Sequence, residues 1–252
     1  LPTGFDLPDE GVHGRWPDNR WSQDHRTQNI KLPAFAAFAR TNPFDRISHA
    51  AKTPRIGIAA AGKSWLDVCQ ALDDLGIDQA LADDLGLTVY KIGLVWPLET
   101  QAAEGFAQGL EELLVIEERR SVIETQFKDL AFHWPADQRP RIIGKTDEQD
   151  SEWLPSTGET GAGQLARLIA DRLIKLTGHA TVKINLAGLE QAAEKIQKKS
   201  IQAMRTPYFC AGCPHARSTR LPDGSRALAG IGCHSLSMWV PGSNTLTLCQ
   251  MG

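Results

Sequence analysis

The residues best equipped for chemistry lie near the carboxyl end. Cys210 and Cys213 are two residues apart in Tyr208-Phe-Cys-Ala-Gly-Cys-Pro-His215, and Cys233 follows in Gly230-Ile-Gly-Cys-His234. A two-residue gap lets both thiolates of one tight loop face a single metal or cluster, with the intervening amides free to bond the sulfurs. Three soft ligands so close together read as a metal site. Three other readings compete. Two of the thiols could form a disulfide or a redox pair, but a redox pair normally opens a helix, and Pro214 followed by a loop-like Ala216-Arg217-Ser218 offers no strong helix start. Zinc is the stronger rival, because Cys210, Cys213, Cys233 and either His215 or His234 make a tetrahedral set. His234 adjoins Cys233, and neighbours in an extended chain point to opposite sides, which argues against a shared metal there; His215 stays open. Unligated buried thiols are the last reading, and they suit Cys69 best.

The elements that must position these groups come before them in the chain. From Pro54 onward short apolar runs alternate with amphipathic stretches. Residues 56–60 read as a buried strand, Ser64 as a helix N-cap with Asp67 as its reciprocal partner, and Trp65, Val68, Cys69, Leu72 and Leu75 as one helical face. Strands over 87–94, 113–116 and 141–144 alternate with helices over 102–112 and 121–133. Leu165, Leu168, Ile169, Leu173 and Leu176 mark a further helix after the Gly- and Ser-rich stretch 155–163. Such alternation predicts an α/β fold, a mostly parallel sheet covered by helices on both faces, over about 54–178. Residues 1–53 carry little regular pattern beyond a short helix over 32–40, and Trp16, Pro17, Asp18 and Trp21 there read as packing anchors. Residues 186–204 read as a linker helix with a small, alanine-rich apolar face, within a connecting segment 179–204.

With its surroundings, the thiol stretch resembles a known family. Thr206 to His215, Gly224 to His234 and Gln250-Met251-Gly252 are similar to the opening of the thiamine-diphosphate domain of indolepyruvate ferredoxin oxidoreductases in their fused single-chain form, members of the 2-oxoacid:ferredoxin oxidoreductases. Arg15-Trp-Pro-Asp18, Lys31-Leu-Pro-Ala34, Ile58 to Ser64 and Val89-Tyr-Lys-Ile-Gly93 resemble earlier parts of the same enzymes, so the likeness covers nearly the whole chain; the cysteine block is its specific part. The resemblance implies four segments: the tail of a pyrimidine-binding domain and connector over 1–53, a transketolase C-terminal-domain-like α/β domain over 54–178, a linker helix over 179–204, and the start of a thiamine-diphosphate-binding α/β domain over 205–252. It implies an enzyme that oxidatively decarboxylates an aryl-pyruvate to an acyl-coenzyme A and passes electrons through [4Fe–4S] clusters to ferredoxin, with thiamine diphosphate and Mg2+ as cofactors. In the family pattern Cys210, Cys213 and Cys233 match cluster ligands, and the fourth thiolate comes from elsewhere. Cys249 has no ligand role in that pattern and reads as a packed thiol. The turn carrying Gly232, Cys233 and His234 lies beside the diphosphate, with Gly232 and His234 as the contacts. A homodimer is the expected assembly. The start at Leu1 and the stop at Gly252, ahead of any acidic magnesium motif, suggest an internal piece that would be inert alone.

Composition narrows the alternatives. At 252 residues, 42% hydrophobic and 23% charged, with a net charge of −3, the chain is an ordinary globular sequence with no electrostatic case for nucleic acid or an acidic membrane surface. It holds no apolar run near the ~18 residues of a membrane span. Its first residues lack a secretion signal, which makes a reducing cytoplasm the default expectation. One rival motif remains. Gly57-Ile-Ala-Ala-Ala-Gly-Lys-Ser64 satisfies the phosphate-loop pattern, and Leu113 to Glu118 can pass for its acidic strand, together suggesting a nucleotide triphosphatase. A phosphate loop needs a strand completed before its first glycine, whereas Pro54 leaves only Arg55 and Ile56 ahead of Gly57. Gly57 is therefore expected inside the strand. His133 reads as a residue at a helix end and Arg119-Arg120 as a solvated pair.

Overall fold

Strand β2, Ile56–Ala61, is the spine of the first part of the molecule and lies between β3, Leu87–Ile92, and β4, Glu112–Ile116, both parallel to it. The computed structural model describes residues 5–9, 11–13, 18–42, 44–199 and 206–249. Strand β1, Arg46–His49, pairs antiparallel with β3 at one edge, and β5, Arg141–Ile143, pairs parallel with β4 at the other, so the order is β1-β3-β2-β4-β5. Side chains alternate across the sheet, as the two-residue repeat of a strand requires. Ile56, Ile58, Ala60, Leu114 and Ile116 enter one core, while Ala59, Leu113 and Val115 enter the other. Both faces being covered explains why these strands read as unbroken apolar runs.

Helices α3, Gly62–Asp74, and α7, Ala162–Thr177, cover the first face through Val68, Leu72, Leu165, Ile169 and Leu173. Helices α5, Thr100–Ala107, and α6, Ile123–Ala131, cover the second through Phe106 and Phe127. This is the α/β fold anticipated from the alternation. Helix α4, Gln79–Leu85, escaped the pattern although its signals are present: the Asp78 carboxylate accepts from the Leu81 amide at 2.9 Å, and Gly86 ends the helix in the left-handed region at φ +68°.

Several sequence expectations change. Helix α3 begins at Gly62 with Ala61 as its unassisted N-cap, so Ser64 is inside the first turn and makes no capping box; Asp67 instead meets Lys63 at 2.9 Å. Residues 20–41 are helical, in α1, Arg20–Arg26, a π-helical turn, Thr27–Lys31, and α2, Leu32–Thr41. The sheet starts at β1, inside the stretch that carries little periodic signal. An edge strand of sequence Arg-Ile-Ser-His pairs along one side only and needs no apolar run. Trp21 is exposed rather than an anchor, and Trp16 and Pro17 lie outside the described residues. Helix α8, Ala180–Lys199, starts earlier than expected, and its first turns are docked: Val182 is fully buried in the first core, and the Asn185 amide donates to the Leu75 carbonyl at 2.6 Å. That part of α8 is packed structure, not a solvated linker.

The chain divides into two compact units, residues 1–195 and 196–252. The second holds α9, His215–Ser218, the parallel pair β6, Ala227–Ala229, and β7, Thr245–Leu248, and a 3-10 helix, Gly232–Trp239. Leu228, Leu246 and Leu248 of this small sheet are exposed.

Candidate functional site: a thiol turn and a glycine–histidine turn

The chain from Cys210 to Cys213 is a tight turn closed by a hydrogen bond from the Cys213 amide to the Cys210 carbonyl at 3.0 Å. Gly212 takes φ +75°, a conformation that costs glycine little and other residues much. Pro214 follows at φ −58°, and α9 starts at once, so residues 216–218 are helical and not the loop expected from sequence. Both thiols are free; Cys210 is exposed and Cys213 half-buried. Cys213 Sγ lies 3.3 Å from His215 Nδ1, and the His215 ring lies nearly parallel to the ring of buried Phe209.

The second turn is built differently. Gly232, at φ +71°, opens the 3-10 helix, and Cys233 and His234 occupy its first turn. They are helical neighbours and not extended ones, which removes the premise that set Cys233 and His234 on opposite sides. The His234 ring is turned back on its own loop: Nδ1 accepts from the Gly230 amide at 2.6 Å, leaving the Nε2 side to carry the ring proton. A Cβ on Gly232 would meet nothing within 4 Å, so the left-handed backbone, not crowding, is what calls for glycine.

Donor chemistry fits a thiolate-bound metal at the first turn: two soft, accessible sulfurs on one short loop, with a third free thiol, Cys233, in the same unit. The three sulfurs do not close into a ligand set. Among the described residues no group of three or more His, Cys, Asp or Glu side chains is placed to hold a metal ion. Cys210 and Cys213 thus share one turn, and Cys233, exposed, lies on the other. Cys249 is exposed as well and not the packed thiol expected. Beside the thiol turn lies a polar cavity of about 450 Å3, lined among others by Tyr208, Arg220, Asp223, Ser243 and Asn244.

The phosphate-loop look-alike has a structural explanation. Gly57 lies inside β2, where an added Cβ would come within 2.5 Å of Leu110 Cδ1 and 2.9 Å of Phe106 Cζ. The helix begins directly at Gly62, leaving no loop to wrap phosphates. The Lys63 ammonium is engaged by Asp67 at 2.9 Å, Glu159 at 3.0 Å and Glu118 at 3.2 Å, which raise its pKa, and it donates to the Thr160 carbonyl at 3.1 Å. At the neighbouring helices the chain supplies its own anions. Glu117 accepts from the amides of Val122, Ile123 and Glu124 at the start of α6, and Glu99 accepts from Gln101 and Ala102 at the start of α5. Carboxylates thus fill helix N-termini beyond the carboxyl ends of β3 and β4, the side on which α/β folds take phosphates.

A family model described as the indolepyruvate oxidoreductase domain matches residues 46–197, from β1 into α8. The chain belongs to the indolepyruvate oxidoreductase family. Curated relatives agree: the indolepyruvate oxidoreductase subunit IorA of Pyrococcus abyssi is 30% identical over 203 residues, covering 79% of this chain and 28% of that protein. Its counterpart in Pyrococcus horikoshii is 29% identical, covering 84% and 30%, and that of Methanothermobacter marburgensis 28% identical, covering 88% and 33%. The chain therefore spans a third or less of the length of these relatives. Two solved structures share weaker likeness: a 2-oxoglutarate:ferredoxin oxidoreductase from Magnetococcus marinus, at TM-score 0.39 and 14% identity over 69% of this chain and 26% of that one, and an inactive split-gene transketolase tetramer, at 0.31 and 12% over 59% and 42%. At these values they add nothing to the α/β architecture read from the strand order.

For an indolepyruvate oxidoreductase domain, the matched segment holds one feature that sequence reasoning missed. Asp45 accepts from the Tyr90 hydroxyl at 2.9 Å and from the amides of Gly93 and Leu94 at 2.7 and 3.1 Å, fastening β1 to the end of β3. Burial, then the Asp45 charge, raises the Tyr90 pKa and keeps the phenol protonated as the donor. Asp45 and Tyr90 line a cavity of about 280 Å3 together with Arg40, Glu99 and Phe106. Arg40 is paired with Glu99 at 3.1 Å, so these polar groups answer one another. An Asp just before a short strand carries no pattern of its own, and only the pairing of β1 with β3 reveals its role.

Proposed function

We propose that the chain is part of a thiamine-diphosphate-dependent oxidoreductase that converts an aryl-pyruvate, indolepyruvate in the first instance, with coenzyme A and two oxidised ferredoxins into an acyl-coenzyme A, carbon dioxide, a proton and two reduced ferredoxins. The observation that carries the reading is membership of the indolepyruvate oxidoreductase family in a chain that also presents Cys210 and Cys213 as accessible thiols on one turn. Cys210, Cys213 and Cys233 would hold a [4Fe–4S] cluster, with Cys233 drawn in when the metal is bound. Gly232 and His234 would meet the cofactor's diphosphate, and Mg2+ would accompany it. When bound, thiamine diphosphate supplies stabilisation of the carbanion left by decarboxylation, and a cluster suits removal of the electrons one at a time. The protein's share is positional. The 210–213 turn presents sulfurs at a backbone geometry set by Gly212, and the Gly230–His234 hydrogen bond fixes the second turn and aims the Nε2 side of His234 away from Gly230. The reading extends to a cytoplasmic homodimer. No helix among the described residues is long and apolar enough to cross a membrane.

Anaerobic purification of the holoenzyme, followed by assays of iron, acid-labile sulfide and zinc and of indolepyruvate-dependent ferredoxin reduction, tests this. Iron with equimolar sulfide and coenzyme A-dependent turnover are expected. Stoichiometric zinc without iron would make the thiol turn a structural zinc site and end the electron-transfer role.

A further inference from the structure

His215 is the side chain most closely tied to the thiol turn, and outside the zinc alternative nothing above gives it a task. Its Nδ1 stands 3.3 Å from Cys213 Sγ. The ring is held from two directions. Phe209, buried, lies nearly parallel to it at 6.1 Å between centroids and an interplanar angle of 17°. The His215 carbonyl accepts from the Thr219 amide at 3.1 Å and from the Thr219 hydroxyl at 2.5 Å, which pins the residue to the first turn of α9. The other histidine of the site is committed to its own loop, through the bond from the Gly230 amide to His234 Nδ1.

A free thiol can donate to an imidazole nitrogen or accept from it. A metal-bound thiolate has no proton, so the same contact persists in the loaded protein only if Nδ1 carries the hydrogen. Hydrogen bonds to cluster sulfurs favour the more negative, reduced state and so raise the reduction potential. We infer that His215 is a positioning residue that donates a hydrogen bond from Nδ1 to the metal-bound Cys213 sulfur and thereby raises the reduction potential of the centre. The inference rests on the cluster reading and adds to it a tuning group that is not a ligand.

The test is potentiometric titration of the anaerobically purified holoenzyme, followed by electron paramagnetic resonance, for the parent, His215→Phe and His215→Asn, with iron and sulfide measured in each. Asparagine can place an amide N–H near the Nδ1 position; phenylalanine keeps the ring stack on Phe209 and removes the donor. Equal cluster content is expected in all three, with a more negative midpoint potential in His215→Phe and a value near the parent's in His215→Asn. Equal potentials in all three overturn the donor role, because a ring that only packs would leave the potential unmoved. Loss of iron and sulfide from both variants but not from the parent would make His215 a ligand, which also overturns it. A parent that holds no iron at all would remove the cluster reading itself, an outcome visible in the metal assay before any potential is measured.

Discussion

Replacing Glu112 by Gln isolates the buried ion pair that anchors α7 to the sheet. Glu112, at the first position of β4, is fully buried; its Oε1 accepts from Arg172 Nε at 2.8 Å, and its Oε2 accepts from Arg172 Nη2 and from Arg141 Nη1 at 3.2 Å. Gln keeps the volume but replaces one acceptor oxygen with an amide facing guanidinium donors. Removing one partner of a buried pair costs about 3–5 kcal/mol, mostly because the other charge is left uncompensated. Arg172 keeps a second carboxylate, Glu148, at 2.8 Å, which places the cost at the lower end, about 3 kcal/mol. That is a fall of about two orders of magnitude in the folded-to-unfolded ratio, or about 6–12 °C in Tm at 2–4 °C per kcal/mol for a chain of this size. Urea unfolding followed by circular dichroism measures it, alongside Arg172→Met and the double variant. The double variant is expected to be less destabilised than the sum of the singles, since neither charge is then stranded. A loss below about 1 kcal/mol for Glu112→Gln at unchanged m-value, or strict additivity in the double variant, would refute the reasoning.

Gly57→Ala should overpack β2 against Leu110 and Phe106 and destabilise by about 1–3 kcal/mol, which thermal unfolding will register. ATP with Mg2+ should not stabilise the chain in a thermal-shift assay, and Lys63→Met should leave that result unchanged, because the ammonium already answers Asp67, Glu159 and Glu118. Glu148 is held down at about 2, chiefly by its hydrogen bond with Lys175 and also by Arg172. A depressed carboxyl contributes stability that is present above its unfolded value near 4.5 and is lost as pH falls toward about 2; denaturation midpoints should therefore drop over that window, and less steeply in Glu148→Gln. Cys213→Ser should lower the iron content of the anaerobically purified holoenzyme, whereas Cys249→Ser should leave it unchanged.

Much of the sheet was legible in the sequence because buried strands announce themselves. Ile56 to Ala60 and Leu113 to Ile116 are apolar at every position, and only a strand covered on both faces needs that. Strand β1 escaped because an edge strand is half polar, and the docked start of α8 escaped because a few buried positions, such as Val182, do not dominate a mostly polar helix. The Ser64 capping box failed for a local reason: α3 starts three residues earlier, with Ala61 as its N-cap, and Asp67 pairs with Lys63 instead of capping the backbone.

For the candidate site, the amino-acid order alone determined that Cys210 and Cys213 share one turn, because two intervening residues with a glycine leave the chain little else to do, and it placed Gly57 inside a strand. Tertiary structure decided the rest. The Asp45–Tyr90 bond that fastens β1 to β3, the capture of Lys63 by Glu118 and Glu159, and the docking of Val182 into the first core depend on how helical turns and strand ends are carried together in space. Such contacts are set by the packing of elements distant along the chain, and residue spacing holds no record of them.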